Sequence, residues 1–229
     1  MPSTPDISHV AGLLSDPSRS AMLISLLDGR PQTATELAQR AKITPQTASL
    51  HLSKLVSGHL ISKEVQGKYH YFRLTDPNVA HAIESLIAIS PPSKIYSLRE
   101  ADEDNALRKA RTCYDHLAGR LGINLAESIV RKGYIDISNE NYRVTDDGKE
   151  FFSDFGIDFV KLKRRRRKFI HPCLDWSERT PHIGGALGAA LLDRITELGW
   201  IDKKASQRAV RVTELGKEGF RNHFELSVD

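Results

Sequence analysis

At 229 residues the chain can hold one large domain or two modest ones. Hydrophobic residues make up 40% and charged residues 27%, an ordinary balance for a soluble globular protein, and the chain has no apolar run long enough for a helical membrane span. The net charge of +4 and a pI near 9.0 permit a polyanionic partner without establishing one. The segment from Met1 to Asp6 has no basic stretch followed by an apolar core, so no signal peptide is expected. Two cysteines are too few for a disulfide framework, and reduced thiols in a cytoplasm are the simpler expectation.

The first helical periodicity lies between Asp16 and Gly29, where Ala21, Leu23, Ile24, Leu26 and Leu27 recur at helical spacing and Gly29 supplies a stop. Thr35 to Arg40 predicts a short second helix, with Ala41-Lys42-Ile43 as the turn after it. Thr44 then offers an N-cap oxygen, and Pro45 suits the first helical position, where its missing N–H costs nothing. The helix they start places Ala48, Leu52 and Leu55 on one face and Gln46, Ser49, Leu50 and Ser53 mainly on the other. Thr47 straddles the boundary, His51 and Lys54 flank the polar face, and Gly58 ends the helix. Strand-like alternation follows, with Leu60 to Val65 and Tyr69 to Leu74 forming a hairpin around Gln66-Gly67-Lys68.

Two short helices, a capped polar-faced helix and a hairpin make a winged helix-turn-helix. Thr44, Gln46, Thr47, Ser49, His51, Ser53 and Lys54 give the third helix compact hydrogen-bonding groups suited to a major groove. Lys63, Lys68, His70 and Arg73 on the wing suit phosphate or the adjacent minor groove. Winged helices also serve as protein-binding modules, but a polar face without Asp or Glu favours DNA.

The run Leu13 to Leu74 resembles the arsenic-repressor (ArsR/SmtB) family of bacterial regulators. The likeness is carried by Asp16-Pro17-Ser18-Arg19, Glu36-Leu37-Ala38, the segment Thr44 to Leu55 and the wing Gly67-Lys68-Tyr69-His70-Tyr71, and covers roughly the first 90 residues. It implies a homodimeric repressor that leaves double-stranded operator DNA when an effector binds. By position, Gln46, Thr47, Ser49 and His51 fall in the reading helix and Lys68 at the wing. The metal sites of the family's best-known sensors are missing. Glu36 to Arg40 holds no thiol, and the helix from about Asp76 to Ile89 has Asp76, His81 and Glu84 without a second histidine. No metal is therefore expected in the head. The last helix also carries Val79, Ala80, Ile83, Leu86, Ile87 and Ile89, an apolar set suited to a dimer contact or to cover by the rest of its own chain.

Pro91-Pro92-Ser93 breaks this pattern, and a helix rich in both charges runs from about Leu98 through Arg108 towards Cys113. Two stretches then carry nearly the same pattern sixty-six residues apart. One reads His116-Leu117-Ala118-Gly119-Arg120-Leu121-Gly122 and then Gly133-Tyr134-Ile135-Asp136; the other reads His182-Ile183-Gly184-Gly185-Ala186-Leu187-Gly188 and then Gly199-Trp200-Ile201-Asp202. Each follows a Cys-x-Asp, and these hold the two cysteines of the chain. Helix, hairpin and helix are expected in each copy, with Leu117 to Val130 and Ala186 to Leu198 as the first helices and Thr145 and Thr213 capping the last. Between the copies, Lys161 to Lys168 is the densest block of charge, read as a solvated connector, as a contact with flanking DNA, or as a site for an anionic effector or acidic partner.

Cys113, Asp115 and His116 in one copy and His171, Cys173, Asp175 and His182 in the other repeat the same side-chain chemistries. Packing and helix capping are their expected roles. An organic-effector pocket with Tyr114, Tyr134, Trp176 and Trp200, a thiol that reacts with an electrophile, and a soft-metal site stay open as alternatives, and no cofactor or metal is assigned. The expected fold is mainly α with small β wings. Residues 1–90 form the winged helix-turn-helix with its dimerisation helix, 91–112 a linker helix, 113–160 the first winged-helix-like repeat, 161–172 a basic connector and 173–229 the second repeat. Neither repeat has a Pro-capped polar helix, so both are expected to serve regulation or assembly. The expected function is sequence-specific transcriptional regulation without catalysis. The alternative is an architectural, weakly specific DNA binder that uses the basic block.

Overall fold

Aspartates start the first two helices. Asp6 caps α1 (Ile7–Leu14), a helix the sequence reading does not include, and Asp16 caps α2 (Pro17–Ser25) through the Arg19 amide. The computed structural model describes residues 5–92, 95–138, 141–164, 167–203 and 208–228. The helix expected to reach Gly29 tightens instead into a 3-10 turn over Leu26–Asp28, and Gly29 ends it with φ 76°. After β1 (Gln32–Thr33), α3 (Ala34–Arg40) opens with a reciprocal capping box between Thr33 and Glu36. Next come α4 (Pro45–Ser57), capped by Thr44, the wing strands β2 (Ile61–Gln66) and β3 (Tyr69–Leu74), and α5 (Pro77–Ile89). The wing is antiparallel from Ile61 opposite Leu74 to Gln66 opposite Tyr69, and β1 adds to its other side in the order β1-β3-β2. Leu23, Leu26, Leu27, Ala48, Leu52 and Leu55 are buried in this first unit as their spacing predicts, joined by Met22, Leu37 and Phe72, whereas Ile24 of the same predicted face is exposed.

The chain divides into two compact units, Met1–Glu84 and Ser85–Asp229. In the second, α6 (Leu98–Lys109) is followed by β4 (Arg111–Cys113), β5 (His116–Ala118), α7 (Gly119–Arg131), β6 (Ile135–Ser138), β7 (Asn141–Val144) and α8 (Asp146–Asp154). A short α9 (Phe159–Lys163) leads to β8 (His171–Leu174), β9 (Pro181–Gly184), α10 (Gly185–Glu197), β10 (Ile201–Lys203), β11 (Val210–Val212) and α11 (Glu214–Phe224). The second helices of both repeats start at their expected caps, Thr145 and Thr213.

The hairpins ahead of α7 and α10 are absent from the sequence reading, which ran the linker helix towards Cys113 and, in the first copy, began the next helix at Leu117. Tyr114 sits in the left-handed region at φ 57° and turns the chain back, so Cys113 and His116 face each other across strands. Gly119, at φ 71°, makes the entry into α7, and a Cβ there would lie 2.8 Å from the Arg108 carbonyl oxygen. The second copy repeats the turn into its helix with Gly185 at φ 85°.

The two repeats build one core. Leu121, Leu125 and Ile129 of α7 and their counterparts Leu187, Leu191 and Ile195 of α10 are buried in it together with Phe152, Trp200, Phe220 and Phe224. The packing is reciprocal: β5 lies on α10 and β9 lies on α7. Each repeat therefore completes the other, and the hairpins are carried to the seam between them.

Candidate functional site

The N-terminal unit presents the groups expected to meet DNA. Thr44 Oγ1 accepts from the Thr47 amide at 3.3 Å, and Pro45 occupies the first turn, which fixes the start of α4. Gln46, Thr47, Ser49, Ser53 and Lys54 are exposed along this helix, and Leu50 is exposed among them. Ser49 and Ser53 donate their hydroxyls to the carbonyls of Pro45 and Ser49, at 3.0 and 2.9 Å. His51 differs from its neighbours: its ring sits 3.4 Å from Arg19 Nη1 and 3.8 Å from Asp16 Oδ1, turned towards α2. On the wing, Lys63, Lys68 and His70 are exposed, Lys68 lies over the Tyr69 ring, and Arg73 pairs across the strands with Glu64.

The second site is in the C-terminal tandem. Cross-strand pairing sets Cys113 opposite His116 in one hairpin and Cys173 opposite His182 in the other. The reciprocal packing then brings the two pairs together. Cys113 Sγ and Cys173 Sγ are 3.8 Å apart, His116 Nε2 and His182 Nε2 are 3.1 Å apart, and one donor atom from each of the four lies within 4.8 Å of every other. All four residues are buried. Glycine permits the approach: a Cβ at Gly188 would lie 2.3 Å from the Ile183 oxygen and 3.1 Å from His116 Cβ, and Gly122 stands in the matching place beside His182.

Carboxylates stand behind both rings. His116 Nδ1 is 3.2 Å from Asp115 Oδ1, and Arg167 holds Asp115 from the other side. Burial works to raise the Asp115 carboxyl, but hydrogen bonds and charge from His116 and Arg167 outweigh it and hold it at about 2. Asp175 lies 3.7 Å from His182 Nδ1, which is buried without a hydrogen-bond partner among the described residues. Asp175 accepts from Arg111 Nη2 at 2.8 Å, the Gly119 amide at 2.7 Å and the Ser177 amide and hydroxyl at 2.9 and 2.7 Å. Burial opposes ionisation there too, and Arg111 and these donors drive its carboxyl well below the usual range.

The two imidazoles are pushed apart. Burial lowers His116, yet the charge of Cys113 and the bond to Asp115 raise it to about 9. Burial and the charge of His116 push His182 well below the ordinary value. At 3.1 Å, Nε2–H of one ring can donate to Nε2 of the other.

The structure brings Cys113, His116, Cys173 and His182 together and puts Asp115 and Asp175 behind the rings. His171 stays outside the four, with its Nδ1 3.0 Å from the Pro172 oxygen. The aromatic residues offered as pocket lining are spent on packing: Trp200 is in the core, Tyr134 stacks on Phe151, and Trp176 lies against the Arg111 guanidinium. Sequence reasoning missed Arg111, Ser177 and Arg167 as supports. It also gave Gly122 and Gly188 no role of their own, although their recurrence at the repeat offset was a usable signal. Of the basic block, Lys161 and Lys163 are exposed, Arg167 is tied to Asp115, and Arg165 and Arg166 lie outside the described residues.

Comparison with known proteins places the chain in a family. A helix-turn-helix domain family matches residues 14–64. The HTH-type transcriptional regulator YdfF of Bacillus subtilis (strain 168) is 48% identical over 224 residues, 98% of this chain and 99% of that protein. Among solved structures, the transcriptional repressor BigR from Xylella fastidiosa matches 38% of this chain and 89% of its own at 24% identity, with a TM-score of 0.35. HlyU from Vibrio cholerae N16961 matches 34% and 85% at 23% identity, with a TM-score of 0.33. No helix among the described residues is long and apolar enough to cross a membrane. With a relative this similar over nearly its whole length, the chain belongs to the HTH-type transcriptional regulators, DNA-binding proteins rather than enzymes.

Proposed function

We propose that the protein is a homodimeric repressor of the ArsR/SmtB type, in a longer branch, which binds a double-stranded operator and releases it when an effector acts through the C-terminal tandem. The observation that carries this reading is the division of α4. Ala48, Leu52 and Leu55 are buried while Gln46, Thr47, Ser49 and Ser53 face outward, and no acidic residue stands between Pro45 and Ser57. Gln46 and Ser49 read base edges, and Thr44, Thr47, Lys54, Lys63, Lys68 and His70 fix the register on phosphates. His51 and Arg73, tied to Asp16 and Glu64, hold the frame of this surface. Leu86 and Ile89 stay exposed on α5 and support its use between two copies of the chain.

The test is a pair of variants, Gln46→Ala and Ser49→Ala, assayed on the operator and on unrelated duplex at fixed salt. Loss of a good base contact is worth about 1–3 kcal/mol, roughly tenfold or more in specific affinity, with little change in nonspecific binding. Equal loss on both duplexes overturns the reading-helix assignment. A steep salt dependence with almost no difference between duplexes in the unmodified protein favours the architectural reading instead.

A further inference from the structure

We propose that Cys113, His116, Cys173 and His182 bind one zinc(II)-class cation in a tetrahedral Cys2His2 site that clips the two repeats of the C-terminal tandem together. The operator reading uses none of these groups for DNA, and the site stands or falls independently of it.

The spacing of the donors fits such an ion. With Zn–S near 2.3 Å and Zn–N near 2.0 Å, tetrahedral angles set the two sulfurs about 3.8 Å apart and the two nitrogens about 3.3 Å apart. The sulfurs here are 3.8 Å apart and the Nε2 atoms 3.1 Å apart. Both thiols and both imidazoles are buried, so four protein groups enclose the ion and leave no place for substrate, the arrangement of a structural rather than a catalytic site. Two thiolates with two imidazoles select a borderline-soft cation over calcium or magnesium, which require oxygen.

The surroundings supply what a metal-bound histidine needs. The two rings bring their Nε2 atoms to 3.1 Å from each other and set Nδ1 near a carboxylate, Asp115 at 3.2 Å and Asp175 at 3.7 Å. The buried, unbonded Nδ1 of His182 has its acceptor waiting at that distance. Both carboxylates are in turn fixed by arginines, Arg167 and Arg111. One cysteine and one histidine come from each hairpin, so an ion at their centre ties β4 and β5 to β8 and β9. A disulfide is the competing use of the thiols. It would draw the sulfurs from 3.8 Å to about 2.05 Å and assign no role to the converging imidazoles.

The test uses the full chain, reduced, kept anaerobic and stripped with a chelator, then titrated with Co(II) as a spectroscopic probe and with Zn(II) as competitor. The expected result is one Co(II) per chain, with thiolate charge-transfer absorption and the intense visible bands of tetrahedral cobalt, bleached by Zn(II). Zn(II) should also slow modification of both thiols by a thiol reagent at least about tenfold, a reading that needs no variant. His171→Ala, which alters a histidine outside the four, should keep the full spectrum, and the double variant Cys113→Ser/Cys173→Ser should lose it. Absence of a stoichiometric tetrahedral spectrum in the unmodified chain overturns the proposal, as does an unaltered spectrum in the double variant. Should that variant fail to fold, the spectrum and the thiol protection of the unmodified chain decide: thiols that stay reactive under saturating Zn(II) overturn the site.

Discussion

Replacing Arg111 with Met tests how the tandem is held together. Arg111 is wholly buried, donates to Asp175 at 2.8 Å, to the Leu107 oxygen at 3.1 Å and to Ser177 Oγ at 3.2 Å, and lies 4.3 Å from the centre of the Trp176 ring. Methionine keeps much of the volume but leaves the Asp175 carboxylate buried without its counter-charge. Breaking one side of a buried pair costs about 3–5 kcal/mol. The amides of Gly119, Ser177 and Glu178 and the Ser177 hydroxyl still donate to Asp175, which places the loss near the lower end, about 3 kcal/mol. At about 2–4 °C per kcal/mol for a unit of this size, the melting temperature falls by roughly 6–12 °C. Both tryptophans of the chain, Trp176 and Trp200, lie in the C-terminal unit, so urea unfolding followed by their fluorescence reports on that unit alone. Asp175→Asn and the double variant complete a cycle. A loss below about 1 kcal/mol for Arg111→Met, or strict additivity in the cycle, refutes the claim that this pair ties the repeats.

Other perturbations reach different parts of the molecule. Thr44→Ala removes the α4 cap and should cost about 1 kcal/mol in chemical denaturation of the N-terminal unit, with no effect on the tryptophan signal. Hydrogen bonds from the Thr33 backbone and then its side chain hold Glu36 below its ordinary 4.5. Its contribution is therefore complete above that value and lost as pH falls through the lower, folded one; Glu36→Gln should flatten this part of the acid limb in a pH series of denaturation curves. Lys68→Ala should reduce the slope of log affinity against log salt by about one, measured by fluorescence anisotropy on duplex DNA. Gly188→Ala sets a methyl 2.3 Å from the Ile183 oxygen and should destabilise the tandem by about 1–3 kcal/mol in the same urea assay; an unchanged midpoint would contradict the packing of His116 against α10.

The N-terminal unit is legible in the sequence because its signals are local. Thr44 with Pro45 starts α4, Gly29 ends the first turn of structure, and Gly67 marks the wing tip, each through interactions within a few residues. Caps are equally readable in the tandem at Thr145 and Thr213. The two hairpins at the seam are not. Their strands are three or four residues long, too short for alternation to register against the helical pattern around them, and the first depends on a left-handed Tyr114 that no propensity favours. His51 fails for a different reason. Its place on α4 follows from periodicity, but its direction is set by Asp16 and Arg19, which are distant in sequence.

The convergence of the two cysteines and two histidines shows why a linear search for ligand spacing passes over them. Cys113 and His116 are three positions apart, Cys173 and His182 nine, so the two copies share no common interval. What they share is a register: in both hairpins the cysteine pairs directly with the histidine. The extra length of the second turn is taken up by Asp175 to Thr180, where Asp175 and Ser177 build the network around Arg111 and Trp176 stacks on its guanidinium. One hairpin offers only half of a four-cornered site, and nothing in a single repeat could complete it. Reciprocal packing of β5 on α10 and β9 on α7 supplies the other half from the second copy. Duplication thus accounts for the site in a way that neither repeat's own sequence does, because the donors meet across the relation between the copies rather than along the chain.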